Sequence, residues 1–246
     1  MPTPLVLMYH GILSEDPNLI PFDRETGAEL YDVSLKNFQA QMEWLKDHDY
    51  TVGKDVLITF DDGESNNYQY AFPVLKKFGY KAYFFIIVKR IGKNGYMDWR
   101  ELKELHESGM VIGSHGLTHE ILTNLLDSQM QEELSASKKN LEINLGIPIE
   151  TISIPRGFCN DKVIESAYKQ GYKTVFISER PSCLKSECVS RIAVKSNWTL
   201  NRFDMALKGT TPLLEEIANI FIKILKTLLR ESGYNWLRSV LIKSTQ

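Results

Sequence analysis

Short apolar runs, most of them bounded by glycine, proline or aspartate, alternate along the chain with segments of helical periodicity. Several of the runs are apolar at consecutive positions, which is typical of parallel strands covered on both faces. The predicted strands are Leu5–Tyr9, Val56–Phe60, Lys81–Val88, Met110–Gly113, Thr151–Ile154, Lys173–Ile177 and Val189–Val194. Strands joined by crossover helices indicate an α/β fold, here a closed or nearly closed barrel. The alternative is an open doubly wound sheet, which the absence of Gly-x-Gly-x-x-Gly after the first strand disfavours.

The pattern changes after Val194, so we predict a barrel over residues 1–195 and a C-terminal helical extension over 196–246. In the extension, apolar residues from Leu213 to Leu229 cover one broad arc of a helical wheel. The first interpretation is a helix packed on the barrel. The alternatives are a homodimer contact or an interfacial helix at the inner membrane face, with lysine and arginine toward anionic lipid.

Composition narrows the class of protein. The 246 residues fit one large domain, and 29 Lys and Arg against 31 Asp and Glu leave no basic footprint for nucleic acid. The longest aliphatic and aromatic run, Ala82 to Val88, is far too short to span a membrane. The first residues lack the charged and apolar regions of a signal peptide, and cysteines are few. These features together predict a cytoplasmic protein.

Polar residues cluster directly after four of the predicted strands. They are His10, the Asp61-Asp62-Gly63 turn, the pair His115 and His119, and the Pro155-Arg156-Gly157 turn. The carboxyl ends of parallel barrel strands open on one face, where barrel enzymes build their active sites. The sequence therefore predicts a catalytic face that contains all four clusters.

The aspartate and histidine clusters suit a divalent metal. Adjacent carboxylates repel unless a cation neutralises them, although Asp61-Asp62-Gly63 also reads as an ordinary turn and helix cap. Two histidines four residues apart meet on one face of a helical turn, a frequent zinc-ligand spacing, although His115 and His119 could also be surface or capping residues. Together they form a His-His-Asp set suited to zinc, iron, cobalt or nickel.

These motifs resemble the polysaccharide deacetylase family, the NodB-homology domain of carbohydrate esterase family four. The residues that carry the resemblance are Val6-Leu7-Met8-Tyr9-His10, Thr59-Phe60-Asp61-Asp62-Gly63, Asp98-Trp99-x-x-Leu102, Ser114-His115-x-x-x-His119 and Pro155-x-Gly157. The resemblance covers about residues 4–195 and is strongest to the intracellular or exopolysaccharide-biosynthesis branch. It implies a distorted (β/α)7 barrel and metal-dependent removal of N-acetyl, or N-formyl, groups from amino sugars.

The resemblance also assigns roles. Asp62, His115 and His119 would hold one divalent ion, with zinc the first choice and cobalt, nickel or iron compatible. Asp61 would be the general base, and the peptide N–H at or near Arg156 would face the oxyanion. The implied partner is an N-acetylated amino-sugar glycan or its lipid- or nucleotide-linked precursor.

Three positions and one missing motif depart from the family pattern. Gly116 stands where serine or threonine is usual, Ser153 where an arginine often orients the base, and Arg156 where tyrosine is common. The Arg156 guanidinium could instead bind an anionic group of the substrate. Moreover, no histidine follows His119, so the family's late acid is missing. On the predicted catalytic face, His10 is then the candidate acid; the alternatives are an orienting role for it or proton delivery by Asp61.

Two other functions stay open from the sequence. The same barrel could hydrolyse a different non-peptide C–N bond, such as that of a cyclic amide. It could also be a metal-binding pseudoenzyme that only holds a glycan, because a barrel fold alone does not decide the chemistry.

Overall fold

The protein forms a parallel β-barrel surrounded by helices. The computed structural model describes residues 4–14, 19–178, 184 and 186–210. The strands are β1 Leu5–Tyr9, β2 Ile12–Leu13, β3 Val33–Ser34, β4 Val56–Phe60, β5 Ala82–Ile86, β6 Val111–Ser114, β7 Thr151–Ser153, β8 Thr174–Ile177, β9 Val189–Ser190 and β10 Ile192–Ala193. The helices are α1 Leu35–Asp47, α2 Phe72–Phe78, α3 Trp99–Glu107, α4 Asp127–Leu145, α5 Asp161–Lys169 and α6 Leu200–Leu207.

One extended segment closes the barrel. The sheet order is β10-β1-β4-β5-β6-β7-β8-β9, and every neighbouring pair is parallel. Because β9 pairs with β8 and β10 pairs with β1, the segment from Val189 to Ala193 joins the two edges. Only Arg191 separates its two halves. The prediction of a (β/α)7 barrel is confirmed, and the open-sheet alternative is wrong.

The helices begin where the sequence supplies a cap. Ser34 accepts a hydrogen bond from the backbone N–H of Asn37 at the start of α1. At α3, the carboxylate of Asp98 and the side chain of Glu101 each accept from the other residue's backbone N–H, which makes a capping box. Such caps satisfy backbone donors that the first helical turn leaves without partners.

The barrel has two apolar layers. Alternate residues of β1, such as Leu7 and Tyr9, belong to the large core between the sheet and the helices. Val6 faces the opposite way and forms a small inner cluster with Phe85 and Phe176. The guanidinium carbon of Arg191 lies 5.5 Å from the Phe85 ring centroid. Arg191 therefore points into the barrel interior.

The described part of the C-terminal extension contacts the helical layer. Phe203 of α6 is fully buried and meets Trp44 of α1 edge to face, with ring centroids 5.9 Å apart. No helix among the described residues is long and apolar enough to cross a bilayer. The amphipathic segment from Leu213 to Leu229 lies outside the described residues, so its predicted packing, dimer and membrane roles stay predictions.

Candidate active site

Three side chains converge at the carboxyl ends of the strands. Asp62 follows β4, whereas His115 and His119 follow β6. One ligand atom from each lies within 4.8 Å of the others, and the two imidazole centroids are 4.9 Å apart. The structure therefore brings the predicted ligands together. The expected helical turn between the histidines is wrong, because residues 115–120 form an irregular loop that bends at Gly116, where φ is +79°.

The donor set fits a divalent ion. Asp62 Oδ1 is buried and has no hydrogen-bond partner, although it lies 3.4 Å from Nε2 of His115 and 3.5 Å from Nε2 of His119. A buried polar atom without a partner is costly unless something else satisfies it. Zinc bonds of about 2.0–2.1 Å at tetrahedral angles place two ligand atoms roughly 3.3 Å apart. The orphaned oxygen and its two nitrogen neighbours meet that requirement.

Hydrogen bonds fix which imidazole nitrogen is available. Nδ1 of His115 lies 2.8 Å from the carbonyl oxygen of Ser153, and Nδ1 of His119 lies 2.7 Å from Oε1 of Glu25. A carbonyl and a carboxylate only accept, so each Nδ1 carries the donated proton. In the neutral rings, both Nε2 atoms therefore present lone pairs toward Asp62.

The loops that hold the site adopt unusual backbone conformations. Asp62, His119 and Arg156 have φ of +73°, +74° and +61°, and in the described residues Asp49 is the other non-glycine position of this kind. Left-handed backbone at non-glycine residues is uncommon and clusters where surrounding structure imposes it. At the histidine loop the constraint comes from Glu133, whose carboxylate accepts from the backbone of Leu117 and Thr118 and from the Thr118 hydroxyl, at 2.5–3.0 Å.

Asp61 lies behind the metal-ligand cluster and is held by an arginine. Arg191 donates from NH1 to Oδ1 of Asp61 and from NH2 to Oδ2, both at 2.7 Å. Ser153 accepts from the same guanidinium at 2.7 Å and donates to Oδ2 at 3.1 Å. Burial raises the pKa of the Asp61 carboxyl, but Arg191 and then His115 outweigh it and lower the pKa to about 2. Asp61 is therefore a carboxylate throughout the neutral range.

Arg191 is one of two site residues that the sequence analysis missed, and Glu25 is the other. Arg191 departs from its strand pattern: it is a lone charge within an otherwise largely apolar stretch, 189–194. Its side chain is fully buried. A charge at a strand position that should face a core requires a buried partner, and this signal could have identified it. Arg191 contacts Ser153, the position at which the family pattern often has an arginine.

His10 lies near the same cluster, as the sequence predicted. Its Nδ1 is buried without a hydrogen-bond partner, and its ring lies 5.0 Å from that of Tyr31. Burial lowers the pKa of His10 below 6.5, although the charges of Asp62 and Asp61 act in the opposite direction. Among the described residues, no side-chain hydrogen bond joins His10 to Asp61, which is one form that the orienting role would take.

Arg156 occupies the turn after β7. Its guanidinium is 29% exposed and lies 3.7 Å from Oε1 of Glu25. The same oxygen accepts from Arg90 at 2.8 Å. Burial raises the pKa of Glu25, but His119 and Arg90 outweigh it and lower the pKa to about 2. This face of the site therefore carries a permanent negative charge flanked by two arginines.

Comparison with known proteins shows which family this chain resembles in sequence and in fold. A family model described as polysaccharide deacetylase matches residues 48–175, which include Asp61, Asp62 and both histidines. YxkH of Bacillus subtilis (strain 168), whose name places it among the polysaccharide deacetylases, is 35% identical over 185 residues, 68% of this chain. The chain spans 62% of the length of that relative.

Two further proteins extend the comparison. The poly-beta-1,6-N-acetyl-D-glucosamine N-deacetylase of Staphylococcus aureus (strain MRSA252) is 29% identical over 208 residues, 71% of this chain and 72% of the relative. The crystal structure of BC0361, a polysaccharide deacetylase from Bacillus cereus, has a TM-score of 0.70 and 30% identity over 82% of this chain and 68% of that chain.

Proposed function

Since this chain belongs to the polysaccharide deacetylase family, we propose that it hydrolyses the N-acetyl or N-formyl group of an amino sugar in a cell-surface polysaccharide or its precursor. The observation that carries the proposal is the pairing of two groups. Asp62, His115 and His119 form a metal-ligand cluster, and the carboxylate of Asp61 lies beside it, 3.8 Å from Nε2 of His115. Metal-assisted amide hydrolysis combines a Lewis acid with a general base close to it, and these two groups would supply that combination.

The proposed cofactor is one divalent ion held by Asp62, His115 and His119. Two imidazoles and one carboxylate suit zinc first, and cobalt, nickel or iron next. When bound, such an ion polarises the amide carbonyl and activates water near neutral pH. Burial raises the pKa of Asp62, but the neighbouring histidines outweigh it and hold the pKa well below its usual range, so Asp62 is a carboxylate.

Different side chains of the site would accept and donate the protons of the reaction. Asp61 accepts the proton of the attacking water, and Arg191 holds its carboxylate in one orientation through two parallel hydrogen bonds. The peptide N–H at Arg156 donates to the developing oxyanion. The C–N bond then breaks, the acyl group leaves as the acid, and the amine nitrogen takes a proton. We assign that last proton to His10; the competing assignments are Asp61 as the donor and an orienting role for His10.

N-acetylglucosamine polymers are the first substrates to test, because the Staphylococcus aureus relative is named for one of them. A lipid- or nucleotide-linked precursor is the alternative form of the substrate. The guanidinium of Arg156, 29% exposed, would bind an anionic substituent if the glycan carries one. The cytoplasmic location, including a peripheral position at the inner membrane face, stays a prediction that cell fractionation tests.

The deciding experiment measures acetate release from N-acetylglucosamine oligomers by metal-free protein reconstituted with zinc, cobalt, nickel or iron(II). Asp61→Asn is the matched control, because it removes the base and leaves the ligands in place. We expect metal-dependent acetate release that the control loses. Release from a cyclic amide but from no amino sugar would favour the alternative hydrolase, and glycan binding without any turnover would favour the pseudoenzyme.

A further inference from the structure

The loop over residues 19–32 bridges the two halves of the proposed metal site. Its consecutive residues Arg24 and Glu25 contact the two different segments that carry the proposed ligands. Arg24 forms an ion pair with Glu64, whose Oε1 lies 2.8 Å from its Nε, and it also pairs with Asp32; its side chain is 11% exposed. Glu64 lies two residues after Asp62, so Arg24 fastens the loop to the aspartate turn.

Glu25 connects the same loop to the irregular loop 115–120, which carries both histidines. Its Oε1 lies 2.7 Å from Nδ1 of His119 and 2.8 Å from NH2 of Arg90, and Arg156 approaches to 3.7 Å. His119 follows β6, Arg90 follows β5 and Arg156 follows β7. One carboxylate oxygen therefore connects segments that leave three consecutive strands of the barrel.

The contact with His119 has a specific chemical consequence. A carboxylate that accepts from Nδ1–H fixes the tautomer and the orientation of the ring, and it makes the opposite nitrogen more basic. The opposite nitrogen, Nε2, is the atom that faces Asp62 Oδ1 at 3.5 Å. His119 also has a left-handed backbone, which Glu133 supports only through the preceding residues of the loop. Glu25 is thus the group that holds the imidazole itself.

We propose that Glu25 is a positioning residue that sets the affinity of the site for its divalent ion, by holding His119 in the Nδ1–H tautomer with Nε2 directed at the ligand cluster. The inference rests on the proposed metal site. Glu25 lies outside the aspartate and histidine motifs, on a loop in which no sequence motif indicates a function.

The experiment compares zinc affinity in metal-free wild type, Glu25→Ala and Glu25→Gln by competition with a chromophoric chelator. Loss of such a ligand-orienting group typically weakens metal binding by about 10–100-fold. We expect that loss in the alanine variant and a smaller one in the glutamine variant, since an amide oxygen still accepts from Nδ1–H. Glu29→Ala and Glu29→Gln are the matched controls, because Glu29 is an exposed carboxylate on the same loop.

Nitrogen-15 shifts of the His119 ring, measured on the metal-free folded proteins, provide a second readout that a loss of stability would not reproduce. Wild type should show a protonated Nδ1 and a bare Nε2, and the alanine variant a mixture of tautomers. If wild type itself binds no zinc, the metal-site proposal fails. If wild type binds zinc and both Glu25 variants bind it equally well with unchanged ring shifts, the proposed role of Glu25 is overturned. If the alanine variant does not fold, the comparison between wild type and the glutamine variant decides.

Discussion

Arg191 donates to both carboxylate oxygens of Asp61, each at 2.7 Å, although the two residues are 130 positions apart in the sequence. Both side chains are almost completely buried, at 0% and 3% exposure. A paired buried charge of this kind is tolerated because the partner and the added hydrogen bond from Ser153 replace the lost water. The pair gives the proposed base one fixed orientation beside the histidines.

Arg191→Lys should lower turnover by about 100-fold, because a lysine keeps the charge but cannot donate to both oxygens in parallel, and small misplacement of a catalytic group costs that much. Zinc affinity should stay near wild type, since Arg191 contacts no ligand. Steady-state kinetics and chelator competition measure the two effects. Arg202→Lys, which alters an arginine stacked on Trp198, is the control.

The exchange of Ser153 and Arg191 tests the same relationship from the other side. Arg191→Ser alone leaves Asp61 buried without its partner, which should cost about 3–5 kcal/mol of stability. Adding Ser153→Arg places a guanidinium at the family's usual position and should recover both stability and part of the turnover. A double variant no better than Arg191→Ser, in thermal denaturation and in activity, would contradict this interpretation.

Substitutions should distinguish the proposed metal ligands from the proposed base by their effects on zinc content and on turnover. Asp62→Ala, His115→Ala and His119→Ala should each lose zinc and turnover together, whereas Asp61→Asn should retain zinc and lose turnover. Elemental analysis of dialysed protein and acetate release provide the two readouts. Wild-type protein should also gain thermal stability on adding zinc, because the ion binds the folded state. An Asp61→Asn protein that cannot hold zinc would show that the role of Asp61 is assigned incorrectly.

Acid should destabilise the fold through Asp61. The pKa of Asp61 is lowered from 3.8 to about 2 in the folded protein, because Arg191 and His115 outweigh burial. A lowered pKa stabilises the folded state fully above about pH 4, and the contribution, about 2 kcal/mol, disappears as pH falls toward 2. Denaturant unfolding of metal-free protein between pH 5 and 2 should show a steeper decline for wild type than for Asp61→Asn. Parallel declines would mean that the folded pKa of Asp61 is close to normal.

His10→Gln distinguishes the two proposed roles of His10. If His10 protonates the amine, turnover should fall by at least about 100-fold and the alkaline limb of the pH–rate profile should disappear. Because burial lowers the pKa of His10, that limb should lie at lower pH than for an exposed histidine. A bound cation nearby would lower the pKa of His10 further. A decrease of only a few-fold, with the limb intact, would assign the proton to Asp61. Zinc content and circular dichroism control for metal and fold.

Strands and caps were predictable because they depend on local pattern. The β4 run Val56–Phe60 has the same bounds in the sequence prediction and in the structure, and the helix caps Ser34 and Asp98 follow from side-chain chemistry within three residues. The cluster of Asp62 with His115 and His119 followed from the rule that parallel strands end on one face.

The partners of two site residues could not be predicted from the local sequence, although the lone charge of Arg191 in its apolar stretch indicates that it is buried. Arg191 reaches Asp61 across 130 positions of sequence, and Glu25 reaches His119 across 94. These long-range contacts depend on barrel closure and on backbone conformations such as the left-handed His119. Neither of these produces a periodic pattern of apolar and polar residues in the sequence. The helical turn predicted between the histidines was wrong for the same reason, since the backbone there is held by Glu133 and not by helical hydrogen bonds.

The segment that closes the barrel also has a consequence for the order in which the protein becomes competent. Asp61, Asp62 and both histidines lie within the first 119 residues, whereas the arginine that orients the base lies at residue 191, between the two strand pairings that join the sheet edges. A growing chain on the ribosome would contain all three proposed metal ligands before it contained Arg191, which holds Asp61. On the proposed function, a chain that stops before the closing segment would carry the proposed ligands and Asp61 but lack the group that orients Asp61, so hydrolysis should begin only after that segment has paired with both sheet edges.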